Sequence, residues 1–519
     1  MPTTPVMCGG NTMKRFLLTG FSALALAGCT VGPEYKKPQV VSPATWRATQ
    51  GLAQSQVTTA QTAPQWWALF HDPMLTRLEN EVAASNLDLK VASLRLMQSQ
   101  AEKRIASAAQ MPNIDGNASY GRERASTNGV LGLLGTMERE QAGSIASGMP
   151  GFGPTALPGS VGNPSFNLPQ YGMNASWEVD FWGHVRRQVE AASAAMQATE
   201  DMRRDMLVSL MAETAQDYIE LRAIQTQIGI LEHNIAVVAE SVRLTRMRLE
   251  QGAATQLDVA EATGQLHSFT ARLAPLQAQA THMLNALSFL IAREPGTLDA
   301  ELGKPAAIPS LPVAVPLGLP SELAERRPDI RMAADKLHAA TASVGVAIAD
   351  FFPRVTLSGS LDVQALQFSG LGSWASRQYG FGPTATLPIF EGGRLTGQLH
   401  LRKAQQQEAA TQFQRTVLKA WQEIDDAMAD FTAAQKRRDE LAEAVQQNEI
   451  AVATARAQYL QGASDFLNVL TLQNALLSSQ SALANATAYS AASVTRLYRA
   501  VGGGWEAFYP EQHITKNHS

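Results

Sequence analysis

The chain runs to 519 residues, enough for two or three ordinary domains, and its 45% hydrophobic and 17% charged residues give a globular composition. A formal net charge of −4 with no basic stripe argues against a nucleic-acid binder. Cys8 and Cys29 are the two cysteines, and Cys8 precedes the cleavage point inferred below, so neither a disulfide framework nor a thiolate metal site is available.

Lys14 and Arg15, the apolar run over 16–26 and the small residues before Cys29 have the charge, length and ending of a secretory signal over residues 1–28, with Met13 expected as the true start. The run is too short to span a bilayer, and no other apolar run reaches about 18 residues, so no spanning helix is expected. The ending is similar to a bacterial lipobox, which implies that Cys29 is lipidated and opens the mature chain; an ordinary signal with a chance cysteine is the alternative. Acyl chains on Cys29 tether a protein without spanning the membrane. Residues 29–72 are rich in Pro, Thr and Gln, with Trp46, Trp66, Trp67 and Phe70, and read as an extended lead-in that docks through its aromatics rather than as a binding platform.

A helical pattern then runs from 75 to about 110, with Asp72-Pro73 as its start signal and Pro112 as its stop. Strand character follows over 113–123, then a glycine-rich connection, then a returning strand over about 171–181. Residues 185–250 are dense in Ala, Gln, Glu, Arg and Leu without a proline; they end at Gly252, and a partner helix returns over about 257–292. This is an antiparallel helical hairpin whose long arm, at about 1.5 Å per residue, extends about 100 Å. Small residues at 191–195 allow helices to approach closely.

The same series is then written again: a helix over 321–350 stopping at Pro353, strands over 354–363 and about 379–390, a long helix over 394–461, Gly462, and a partner over about 467–500. Asn86 and Arg327 open matching segments offset by 241 positions, as are Pro112 and Pro353, whereas Gly252, Leu257 and Val259 match Gly462, Leu467 and Val469 at an offset of 210. The first copy therefore carries about 31 extra residues, assigned to its glycine-rich loop. A repeat this long is a whole supersecondary assembly. The organisation expected is signal 1–28, lead-in 29–72, first repeat 73–295, linker 296–320, second repeat 321–501 and C-terminal tail 502–519.

Strands of about 9 to 11 residues can cross a bilayer in a β-barrel. Four cannot close one, and an open edge in lipid leaves backbone groups without partners. Copies of the chain must then close the sheet: three give twelve strands, whereas two give eight with little room for a lumen. Each copy brings two long hairpins, so the ring of strands continues as a ring of helices.

Motifs along nearly the whole mature chain resemble the TolC-like outer-membrane efflux family, in its OprM- and nodulation-protein-T-type lipoprotein branch. They are Gly28-Cys29 with Val31-Gly32-Pro33 and Tyr35; Trp66-Trp67-Ala68-Leu69-Phe70 with Asp72-Pro73; Trp177-Glu178-Val179-Asp180-Phe181-Trp182-Gly183; Glu325-Arg326-Arg327-Pro328-Asp329-Ile330-Arg331; Phe351-Phe352-Pro353; Pro388-Ile389-Phe390-Glu391-Gly392-Gly393-Arg394; and Ala500-Val501-Gly502-Gly503-Gly504-Trp505. The resemblance implies a mainly α fold with a membrane β part: a trimeric 12-stranded β-barrel continuing into a long α-helical barrel, two structural repeats per chain, and a mixed equatorial layer. It implies a homotrimer in the outer membrane lipid, lipid-anchored and extending into the periplasm, where Thr30 in place of aspartate after Cys29 favours the outer membrane. It also implies two protein partners, a periplasmic adaptor (membrane fusion) protein and an inner-membrane pump of the RND or a related class.

The same resemblance places adaptor contact at the hairpin tips, on Gly252, Ala253 and Thr255 in the first copy and Gly462, Ala463, Ser464 and Asp465 in the second. As turns these sites need their glycines for backbone reasons alone, so both readings stand. Family members often carry two aspartates on the final helix where this chain has Asn468 and Thr471. The first copy offers Asp258 and Glu261 at the matching positions, but the family sets the second hairpin innermost. The periplasmic gate is therefore expected at Leu467, Asn468 and Thr471, closed by packing and neutral hydrogen bonds, with Asp258 and Glu261 as the nearby carboxylates.

No enzyme activity, cofactor or metal is expected. The nine histidines show no metal-ligand spacing and no phosphate-cradling Gly-rich motif is present. Glu213, Asp217 and Glu220 are helix-spaced carboxylates that read as a solvated face or lumen lining, and the seventeen methionines are scattered as seam-fillers. The function expected is a passive exit duct for small toxic compounds or drugs. A duct for polypeptides is the rival within transport; a periplasmic coiled-coil scaffold is the rival from another class, and leaves the four strands unexplained.

Overall fold

The computed structural model describes residues 30–40, 57–58, 60, 62–124, 165–312, 315–319 and 326–509. Cys29, Trp46 and residues 321–325 at the start of the second-copy helix lie outside the described residues.

Asp72 starts helix α1 (Pro73–Ser85) by accepting at Oδ1 from the N–H groups of Met74 and Leu75, at 2.8 and 3.1 Å. Pro73 sits at the first position, where a missing N–H leaves no partner unsatisfied. One helix to about residue 110 was the expectation; the chain instead breaks at Asn86 and restarts as α2 (Leu87–Ala108). The Asn86 backbone is extended at ψ 132°, its amide donates to the Leu290 carbonyl at 2.8 Å, and its side-chain oxygen accepts from Leu89 N at 3.0 Å. A tertiary partner and a new cap together override the local periodicity.

The remaining main elements are strands β1 (Asn113–Glu123) and β2 (Phe166–Glu178), helices α3 (His184–Glu250) and α4 (Gln256–Leu290), helix α5 (Pro328–Ala349), strands β3 (Arg354–Gln364) and β4 (Arg377–Thr386), and helices α6 (Arg394–Leu460) and α7 (Phe466–Val501). The two long helices have the same length, 67 residues each. A two-residue parallel pairing joins Val57–Thr58 to Val315–Pro316.

The returning strands end earlier than expected, at Glu178 and Thr386. In the first copy Asp180 accepts from Arg186 N at 2.8 Å and Gly183 turns at φ 84°, which draws the chain out of the ladder and into α3. In the second, Pro388 has no N–H to offer a ladder and Gly392 and Gly393 turn at positive φ before α6.

The described residues divide into two compact units, each drawing on both halves of the chain. One comprises Met1–Glu34, Lys103–Glu190 and Ala342–Lys403, and holds the four-stranded sheet. The other comprises Tyr35–Glu102, Ala191–Thr341 and Ala404–Ser519, and holds the larger apolar core. In that core Trp66, Trp67 and Phe70 are buried, and Trp66 stacks on Tyr498 with ring centroids 5.4 Å apart. The docking expected of the lead-in is thus found for these three aromatics, each contributing about 1.5–3 kcal/mol of burial. Small residues on α7, among them Ala484, Ala488, Ser490, Ala491 and Ser493, are buried and let neighbouring helices approach.

Candidate functional site: a two-faced sheet and paired hairpin tips

The sheet is antiparallel throughout, in the order β1-β2-β3-β4. Register lines Gly116 with Met173, Met173 with Leu361, and Leu361 with Tyr379. Because side chains alternate, this row and its equivalents collect Ile114, Ala118 and Tyr120, Tyr171, Ala175 and Trp177, Leu357 and Val363, and Phe381 on one face. The opposite face carries Asp115, Asn117 and Ser119, Gln170, Asn174 and Ser176, Ser358, Ser360 and Asp362, and Gln378. Amides on that face bond across strands, Asn174 to Asn117 at 3.2 Å and Gln364 to Gln170 at 3.4 Å. Gly172 leaves room there, since a Cβ on it would lie 2.0 Å from Asp362 Oδ1. One apolar face, one polar face and, among the described residues, two unpaired edges, β1 and β4, are the attributes of a piece of barrel wall.

Thr30 sits beside this sheet's helix-connected end. Val31 N donates to the Trp182 carbonyl at 3.0 Å, and a Cβ on Gly183 would come within 2.5 Å of Thr30 Cγ2.

The tips lie in the other unit. In the first, Gly252 turns at φ 70° while its N–H bonds Leu249 O at 2.9 Å and Ala253 N bonds Arg248 O at 2.8 Å; in the second, Gly462 turns at φ 76° with Gly462 N on Tyr459 O and Ala463 N on Gln458 O, at 3.0 and 2.8 Å. Both close their helices by the same Schellman pattern. Thr255 then caps α4, with Asp258 N donating to Thr255 Oγ1 at 3.2 Å and Asp258 Oδ2 accepting from Thr255 N at 2.7 Å. Asp258 is therefore engaged in a capping box, and Glu261 is half-buried one turn on. At the second tip Asp465 holds the cap position without a side-chain bond, Asn468 donates to Ser464 Oγ at 3.2 Å, and Thr471 bonds back to Leu467 O at 2.8 Å. Each tip thus keeps one carboxylate in its cap, at different positions. Ser464, Asp465, Leu467, Asn468 and Thr471 line one open depression with Gly462 and Ala463.

A tie between the hairpins had not been expected from the sequence. Arg248 Nη1 donates to the Tyr459 carbonyl at 3.0 Å and its guanidinium lies 4.5 Å from the Tyr459 ring centroid, while that ring meets Phe466 at 5.1 Å. Below it Val242, Ala262, Ala455, Phe466, Val469 and Leu470 form a small apolar cluster. The repeat could not announce this pair, because Arg248 and Tyr459 fall opposite Gln458 and Leu249 in the other copy.

Higher on α3, Asp217 is pushed up to about 6 by burial first and by the like charges of Glu213 and Glu220 second. Glu213 and Glu220 are exposed and Asp217 is half-buried. Among the described residues no group of three or more His, Cys, Asp or Glu is placed to hold a metal ion, and no helix is long and apolar enough to cross a membrane.

A family profile described as outer membrane efflux protein matches residues 78–293 and 319–503. The chain belongs to the outer membrane efflux protein family. It is 30% identical over 500 residues to the toluene efflux pump outer membrane protein TtgC of Pseudomonas putida, covering 95% of this chain and 96% of that one. It is 27% identical over 490 residues to the cation efflux system protein CusC of Escherichia coli, covering 93% and 97%. The solved outer-membrane channel OprN matches with a TM-score of 0.81 at 31% identity, over 92% of this chain and 100% of that one. This outer membrane efflux protein is accordingly TolC-like in fold, and the family's work is passage across the outer membrane rather than chemistry. In that setting the apolar face of the sheet is suited to lipid and the amide- and carboxylate-bearing face to the water of a channel.

Proposed function

We propose that three copies of the chain close their sheets edge to edge into a twelve-stranded barrel and form the passive exit duct of a tripartite efflux system. The observation that carries this reading is the four-stranded, two-faced sheet with both edges unpaired among the described residues, which in lipid would strand a row of backbone groups unless β1 of one copy met β4 of the next. The chain performs no chemistry; an inner-membrane pump of the RND or a related class supplies the energy, and a periplasmic adaptor meets the tips at Gly252, Ala253, Thr255, Gly462, Ala463, Ser464 and Asp465. The gate is formed by Leu467, Asn468 and Thr471. It is closed by packing and neutral bonds, which the engagement of Asp258 in its cap supports.

Cys29 anchors the protein by its acyl chains in the periplasmic leaflet. The place of Thr30, against Gly183 where the sheet gives way to α3, supports that reading. The cargo is small toxic compounds, in keeping with relatives named for toluene and cation efflux. Reconstitution in planar bilayers is the test: heat-modifiable trimers with stable conductance are expected, and monomers without conductance would overturn the duct. Deletion of the chain should sensitise cells across a broad toxin panel.

A further inference from the structure

The outward, apolar faces of the four strands carry charge at just two positions, and both are arginines at the same end of the sheet. Arg122 is the penultimate residue of β1 and Arg377 the first of β4; each shares the face of Tyr120, Leu361 and Phe381. The other charged strand residues, Asp115, Glu123, Glu178, Arg354 and Asp362, alternate onto the opposite face. Charge facing lipid is costly near the bilayer midplane and nearly free at its edge, so position alone explains why these arginines are tolerated but not why both outward charges are cationic.

The helices attach at the other end of the strands, so Arg122 and Arg377 stand at the rim that looks out of the cell. Both side chains are exposed, and among the described residues neither is held by a carboxylate: Arg122 Nη2 reaches Ser165 Oγ at 3.4 Å, and the Arg377 guanidinium lies 4.2 Å from the ring centroid of Trp374, itself 80% exposed. A ring beneath a guanidinium fixes its plane while leaving its N–H edge open. Tyr120 and Phe368, stacked at 5.5 Å, complete an aromatic belt at that rim.

We propose that Arg122 and Arg377 form a binding site for the phosphate groups of an anionic lipid in the outward leaflet. The inference rests on the trimeric duct proposed above. Arg122 and Arg377 lie on the two edge strands, so in a closed ring Arg122 of one copy and Arg377 of the next flank the same seam. Each lipid would then bridge two copies, three per trimer, its phosphates held by guanidinium forks and its acyl chains lying on the apolar face.

The test uses the full-length protein purified in detergent, with bisphosphorylated lipid A as probe and its monophosphoryl form and inorganic phosphate as competitors, read by native mass spectrometry. Wild type should retain the bisphosphorylated lipid at up to three per trimer. Arg122→Gln, Arg377→Gln and the double variant should lose at least about tenfold in retention, and the monophosphoryl form should bind more weakly. Equal retention by wild type and variants overturns the site, and displacement by inorganic phosphate at equal concentration reduces it to an ion site and overturns the lipid assignment. Conductance of the same preparations separates the two readings: conducting trimers that retain no lipid sink this inference alone, whereas absence of trimers sinks the duct itself.

Discussion

Arg248, at the end of α3, reaches across to Tyr459, at the end of α6, with one hydrogen bond of 3.0 Å to its carbonyl and a cation–π contact of 4.5 Å to its ring. The contact joins the last turn of one hairpin's long arm to the last turn of the other's. Any opening that separates the hairpins must break it. Arg248→Ala should therefore raise single-channel open probability several-fold and remove about 1–2 kcal/mol from the tip. Arg248→Lys should fall between, keeping the charge but losing the planar fork. Unchanged conductance in a folded Arg248→Ala trimer would show that the tie does not restrain opening.

Asp258 accepts from the Thr255 backbone and hydroxyl and so completes the capping box that starts α4. Asp258→Ala should cost about 1 kcal/mol of α4 stability, visible as faster amide exchange over 256–260, with little effect on conductance. Divalent cations should block the channel weakly. Strong block abolished by Asp258→Asn would instead make this carboxylate part of the gate.

Gly183 combines φ 84° with a Cβ position 2.5 Å from Thr30 Cγ2, so alanine there meets both backbone strain and a collision. Gly183→Ala should cost about 1–3 kcal/mol locally and free residues 30–32 from the body. Limited proteolysis within 30–36 should quicken while labelled palmitate on Cys29 stays the same. If proteolysis is unaltered, Thr30 is held by something other than this slot.

Burial and its acidic neighbours push Asp217 up to about 6, above the value of about 3.9 for an unfolded aspartate. The folded chain then holds that proton more tightly, so ionisation costs stability; the cost sets in as pH rises from about 4 to about 6 and is constant beyond. Discounted for partial exposure, Asp217→Asn should stabilise by about 1 kcal/mol at pH 7.5 and by almost nothing at pH 4. Thermal dissociation of the trimer at the two pH values checks this, and a larger gain at pH 4 would reverse the assignment.

The tie at Arg248 and the break at Asn86 mark where local reading stops. Asp72-Pro73, Pro112 and Pro353, and Gly252 and Gly462 act through their own backbone geometry, so helix starts, strand starts and tips are legible from the chain alone. Asn86 could not be read in this way. Its neighbours continue an apolar period, and the break takes the Leu290 carbonyl, 204 residues away, together with the cap that Asn86 then makes on Leu89 N.

By itself the sequence determined that there are two copies of one plan, with hairpin arms of equal length and four strands that cannot close alone. Those properties follow from periodicity, from residues with constrained backbones, and from the count of strands set against the need to pair every edge. Tertiary structure decided which residues share the polar side of the sheet, which carboxylate completes a capping box, and which unlike residues of the two copies meet at the tips. Register and inter-hairpin contact join residues far apart along the chain, and a one-residue slip would exchange the two faces, so no local pattern could decide them.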